Sequence, residues 1–141
     1  MKQVFLSTTT EFKEIDSLES GTWINLVNPS QSESIEIANA FGIDIADLRA
    51  PLDAEEMSRL TIEDEYTLII VDVPITEERN NQTYYVTIPL GIIITEEAII
   101  TSAGHLHSQA PAQLLYFYEV TFHLSDSLPQ CRAVSDSPAL H

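Results

Sequence analysis

Residues 22–51 read TWINLVNPSQSESIEIANAFGIDIADLRAP, and this stretch decides the fold. Trp23, Ile24, Leu26 and Val27 are strand formers, bounded by Gly21 on one side and Pro29 on the other, so a strand is expected there. Ser30 follows, with Glu33 three residues on. That spacing is a capping box: the hydroxyl accepts from the Glu33 amide while the carboxylate reaches back. The helix so opened should place Ile35, Ala38 and Phe41 on one face, with Ile37 beside them, and stop at Gly42. Asp44 then caps a second helix, and Pro51 ends it.

Working outward, Val4 to Leu6 suggests a short strand, after which the chain turns polar and no element is assigned before Gly21. Downstream, Leu68 to Val71 is a continuous apolar run, expected to be a central strand covered on both faces. Residues 76–82, TEERNNQ, read as a polar turn. YYVTIPLGIIIT (84–95) and AIIT (98–101) give two more strands joined at Glu96–Glu97. Pro89 cannot donate to a ladder, so a bulge or an edge position is expected there. Strand, helix, helix and then several strands imply an α/β fold, a mixed β-sheet layered with helices, in one domain spanning 1–101.

Composition narrows the function classes. The chain has 141 residues, room for one domain with a real core. Six Lys/Arg against 22 Asp/Glu give a net charge of −16, and −14 falls before residue 102. Such a surface repels nucleic acid and anionic lipid and attracts cations. A single cysteine, Cys131, excludes a disulfide framework. The N-terminus lacks an apolar signal-peptide core and no run is long enough to span a membrane, so a cytoplasmic chain is expected. No glycine-rich phosphate loop is present, and no histidine or cysteine precedes Ser102 to assemble a nucleophilic site. Glu55–Glu56 and Glu63–Asp64–Glu65 read as a solvated face rather than a catalytic pair. His105 and His107 could share one side of a strand, but they lack a third zinc ligand; a metal-dependent hydrolase is the weakest reading. The chain is therefore not expected to be an enzyme.

One set of residues resembles a known family. Trp23-Ile24-Asn25 on an early strand, Phe41-Gly42-Ile43 at the end of the first helix, Leu52, a strand from Tyr66 to Pro74, and the Gly91–Thr101 hairpin follow one another with family-like spacing. In this the chain resembles, from Thr22 to Thr101, the N-terminal cytoplasmic domain of CorA-type magnesium and divalent-cation transporters. The resemblance implies a subunit of a homopentamer whose membrane helices and Gly-Met-Asn signature lie outside this sequence, so that this chain would not transport alone. The chain itself would be cytoplasmic and its parent would lie in the cell membrane. It also implies a regulatory Mg2+ site. The family's acidic residue at the end of the second short helix falls on Ala50, beside Arg49, and nearby Asp53, Glu55 and Glu56 are the substitute metal ligands. The alternative is a free-standing acidic α/β module that senses divalent cations or a protein partner.

Residues 102–141 break the pattern, and they hold all four histidines and Cys131. Read one nucleotide later, codons permitted for Ser125 to Pro129 encode Gln-Ile-Leu-Tyr-Arg, and the shifted frame stays helix-like toward His141. The tail is expected to be an out-of-frame or divergent segment, in which case His105, His107 and Cys131 have no selected role.

Overall fold

The computed structural model describes residues 1–8 and 10–104. The expectations for His105, His107, Cys131 and the remaining tail lie outside the described residues. Among the described residues seven strands form one sheet, in the order β2-β1-β3-β7-β6-β5-β4. They are β1 (Lys2–Ser7), β2 (Phe12–Ile15), β3 (Thr22–Val27), β4 (Arg59–Ile62), β5 (Tyr66–Arg79), β6 (Gln82–Thr95) and β7 (Ala98–Ala103). Only β3 and β7 run parallel; every other pair is antiparallel, so the sheet is mixed. Between β3 and β4 the chain forms helix α1 (Gln31–Phe41), helix α2 (Ile45–Arg49) and a 3-10 turn, Ala50–Leu52.

The helices cover one face of the sheet. Ile37, Ala38, Ile43 and Leu48 join Val4, Ile24, Leu26, Leu68, Ile70, Ile93 and Ile100 in a single buried cluster. The register explains the selection: Val4, Ile24 and Ile100 stand on one rung, as do Leu68, Ile93 and Ile100. Gly91 lies opposite Ile70 in the pairing, directly under the 3-10 turn. A Cβ at Gly91 would overlap the ring of Pro51, so this glycine is what lets the turn lie against the sheet.

Both expected caps form. Ser30 Oγ accepts from the Glu33 amide at 3.2 Å, and the Ser30 amide donates to Glu33 Oε2 at 2.9 Å. Gly42, at φ 65°, closes α1 with its amide donating to the Ala38 carbonyl. Asp44 caps α2 by accepting from the Ala46 amide at 2.8 Å.

Three local expectations change, and the alternative left open at Pro89 is decided. The buried face of α1 is Ser34, Ile37 and Ala38, with Phe41 partly buried, while Ile35 is 42% exposed. Ser34 can take a core position because its hydroxyl donates to the Ser30 carbonyl and accepts from Arg49, so a search for apolar periodicity alone shifts the face by one residue. Residues 76–82 are mostly strand, with the turn confined to Asn80–Asn81 at φ 52° and 58°, the conformation of a type I′ hairpin. The Leu68–Val71 run belongs to a strand one place from the sheet edge. Leu68 and Ile70 are buried there while Ile69 and Val71 are half-buried, so cover is complete on one face only. At Pro89 the β5–β6 register runs through without a bulge, whereas pairing with β7 begins only at Leu90. The proline thus takes the edge alternative, at the point where β5 and β6 become a two-stranded ribbon. Strands β2 and β4 are short edge strands in stretches whose sequence pattern predicts no element. At the other end, β7 continues to Ala103, so Ser102 and Ala103, both buried, belong to the packed sheet.

Candidate functional site

The expected metal ligands lie just after the 3-10 turn. Asp53 ends that turn, its amide donating to the Ala50 carbonyl. Its Oδ1 accepts from the Glu55 amide at 3.0 Å, and its carbonyl accepts from the Glu56 amide at 3.1 Å. Glu56 Oε1 accepts from Arg59 Nε at 3.2 Å. Asp53 and Glu56 are therefore engaged locally, and Glu55 is exposed. Among the described residues no three His, Cys, Asp or Glu side chains are grouped to hold a metal ion within one chain. The donors are hard oxygens, the chemistry Mg2+ requires, but the Asp53 carboxylate already serves the turn and that of Glu56 already holds Arg59.

Ala50, the position where the family resemblance expects a carboxylate, is partly buried against the core cluster. Its neighbour Arg49 points back to α1, donating to Ser34 Oγ at 2.7 Å and to the Pro29 carbonyl at 3.3 Å. That corner of the molecule is a brace between helices.

Sequence reasoning missed a second polar constellation, which ties α2 to the sheet. Tyr66, buried at the start of β5, donates from its hydroxyl to Asp47 Oδ2 at 2.7 Å. The Asp44 amide donates to the same hydroxyl at 3.4 Å. Arg59 on β4 pairs with Asp47 Oδ1 at 3.5 Å while also holding Glu56. Burial, reinforced by the Asp47 carboxylate, pushes the Tyr66 phenol up to about 12. The pairs are 12 and 19 residues apart, and no local spacing signals them. On the opposite face of the sheet, Trp23 Nε1 donates to Thr101 Oγ1 at 2.9 Å and that hydroxyl donates to Asn25 Oδ1 at 3.1 Å. Two of the residues that carried the family resemblance, Trp23 and Asn25, are thus tied through Thr101 to the parallel strand β7.

No protein-family model matches the sequence. The cobalt/magnesium transport protein CorA of Methanocaldococcus jannaschii is 30% identical over 92 residues, covering 60% of this chain and 27% of that protein. The solved soluble domain of CorA from the same organism superposes with a TM-score of 0.65 at 23% identity, over 85% of this chain and 46% of that one. The fold is that of the CorA soluble domain. The complete CorA structure gives a TM-score of 0.62 at 19% identity, with 37% of its chain covered. The mixed sheet expected from sequence is therefore found both in the geometry and in CorA, and the chain spans about a quarter of its curated CorA relative. Among the described residues no helix is long and apolar enough to cross a membrane.

Proposed function

We propose that this α/β unit is the cytoplasmic regulatory domain of a CorA-like magnesium transporter and has no catalytic role of its own. One observation carries the reading: the CorA likeness holds in sequence and in fold together. In the working protein such a domain is joined to membrane helices and assembled as a pentamer, and the cation that passes is substrate rather than cofactor. Asp53, Glu55 and Glu56 then contribute to a regulatory site shared across a subunit boundary. Mg2+ dehydrates reluctantly and bridges carboxylates through its own waters, so a shared site does not need three free ligands from one chain. Cations held between acidic faces favour the closed assembly, and their loss shifts the population toward the open one.

The test is a chimera in which residues 1–104 replace the matching segment of M. jannaschii CorA, assayed for Mg2+ uptake in proteoliposomes. The expected result is uptake that closes down as magnesium rises on the cytoplasmic side, with Asp53→Asn/Glu55→Gln/Glu56→Gln shifting the closure to higher magnesium. A chimera that assembles and transports but ignores cytoplasmic magnesium would remove the regulatory role.

A further inference from the structure

We propose that the outer edge of β6, from Gln82 to Ile88, pairs antiparallel with the same edge of a second copy of this chain, about a two-fold axis at Tyr85. This goes beyond the transporter reading and does not rest on it. Being two-fold, the contact joins chains in pairs and lies apart from the cyclic contacts of a five-membered ring.

The direction of the main-chain groups along the ribbon follows from its prolines. Pro74 stands opposite Thr87 and Pro89 opposite Asp72, and the β5–β6 register runs through both without a break. A proline has no N–H to donate, so each occupies a position that faces away from its partner strand. In antiparallel pairing that direction alternates, so even-numbered residues of β5 and odd-numbered residues of β6 turn their N–H and C=O outward. Two further observations agree. The Glu63 amide donates to the Tyr66 carbonyl at 2.9 Å, on the β4 side of β5, and Arg79 and Gln82 close the two-residue Asn80–Asn81 turn. Thr83, Tyr85 and Thr87 therefore present a row of donors and acceptors along the side of β6 where, among the described residues, pairing with β7 begins only at Leu90.

Composition selects the occupant. Edges are ordinarily guarded by charge or by proline. Strand β2 carries Lys13 and Glu14, β4 carries Arg59, and the outward positions of β5 include Asp72, Pro74 and Glu78. Between Gln82 and Thr95 no residue is charged, and Tyr84 and Tyr85 are 46% and 80% exposed. On a chain of net charge −16 an uncharged edge favours a strand equally free of charge, and the same segment of a second copy is one. The nearest carboxylates, Asp72, Glu77 and Glu78, stay one strand back on β5. The register is self-complementary. Tyr85 faces Tyr85, and Thr83 faces Thr87, of the second copy; every such pair joins two outward-facing residues, giving about six main-chain hydrogen bonds. Between them Tyr84 meets Val86 of the second copy in the closer, non-hydrogen-bonded sites, an aromatic–β-branched pair of the stabilising kind. The ends agree as well: Pro89, which cannot donate, falls opposite Asn81 in the turn of the second copy, so pairing stops at both ends together. Because the two chains repel each other at long range, salt strengthens this contact.

The experiment is sedimentation equilibrium on the full chain over a range of protein concentrations, in about 0.01 M and about 1 M NaCl, where the screening length falls from about 30 Å to about 3 Å. The expected result is a monomer–dimer equilibrium that shifts toward dimer as salt rises, the reverse of a contact held by opposite charges. Tyr85→Lys sets two like charges face to face and should raise the dissociation constant at least tenfold. Glu78→Lys, on the other edge of the ribbon, should not weaken the dimer. Amide exchange followed by NMR reads the edge without any variant. Protection at Thr83, Tyr85 and Thr87 should rise with protein concentration, while Tyr84, Val86 and Ile88, already bonded to β5, should not change. A chain that stays monomeric in both salts would overturn the proposal. So would a dimer that leaves those three amides unprotected or ignores Tyr85→Lys, because the contact would then lie elsewhere. Protection of the three amides at every dilution would overturn it too, since another part of the same chain would hold the edge.

Discussion

At the scale of single residues, Tyr66 is the ionisable group whose proton affinity is shifted most among the described residues. Its hydroxyl is held in the neutral form by burial and by the Asp47 carboxylate that accepts its hydrogen bond, with a folded value of about 12 against an ordinary 10.0. The folded state therefore keeps this proton in a range where the unfolded chain gives it up. Stability contributed by the phenol is fully present below pH 10 and is lost as pH rises toward 12. In Tyr66→Phe that alkaline limb should flatten, and urea midpoints measured from pH 9 to 12 would show it. At neutral pH the variant should lose roughly 1–3 kcal/mol, the usual cost of removing a hydrogen bond to a charged group. An unchanged alkaline slope in the variant would mean that some other group carries it. The same residue shows where sequence reading stops. Tyr66 was legible as the opening of a strand, but its partners Asp47 and Arg59 lie on α2 and β4, and only the folded chain brings them together.

At the scale of elements, α1 rests on chemistry that was fully legible. Its capping box satisfies two amides that the helix cannot pair internally, and the N-terminal ammonium adds a 3.3 Å contact to Glu33. The Ser30 backbone hydrogen bond, foremost, holds the Glu33 carboxyl below its usual value. Ser30→Ala should cost about 1 kcal/mol, a drop of several degrees in the melting midpoint for a domain of this size. Because the folded pKa of Glu33 is depressed, its contribution is present above the unfolded value of 4.5 and fades as pH falls below it. Glu33→Gln should therefore flatten the acid limb of stability, which thermal melts from pH 3 to 6 would reveal. Caps, the Gly42 stop and the Pro89 edge could be read because each is a rule about adjacent backbone groups. The buried face of α1 could not, because Ser34 is made acceptable by Arg49, fifteen positions away. The β5–β6 ribbon was hidden for a different reason: its arms carry Thr, Glu and Gln, which read as loop until the Asn80–Asn81 turn is seen to pair them. The substitute metal ligands show the same limit, since their spacing was visible but not the hydrogen bonds that already occupy Asp53 and Glu56.

At the scale of the whole molecule, negative charge opposes the compact state. A net −16 on 141 residues is self-repulsion that any salt relieves, because the screening length shortens to about 10 Å at 0.1 M. Divalent ions can do more, by bridging carboxylates that monovalent ions only shield. The β4–β5 and β6–β7 turns and the Asp53–Glu56 segment are the places where exposed carboxylates crowd. Matching ionic strength separates the two effects: about 10 mM MgCl2 and about 30 mM NaCl screen equally. If the chain were only an acidic solvated domain, the two salts would raise the unfolding midpoint by the same amount. The CorA-like reading expects magnesium to exceed sodium, with an excess that grows logarithmically with concentration, as linkage to binding requires. That excess should shrink in Asp53→Asn/Glu55→Gln/Glu56→Gln and persist in Glu96→Gln/Glu97→Gln. Equal midpoints in the two salts, measured on the full chain by calorimetry, would reduce the acidic surface to a matter of solubility.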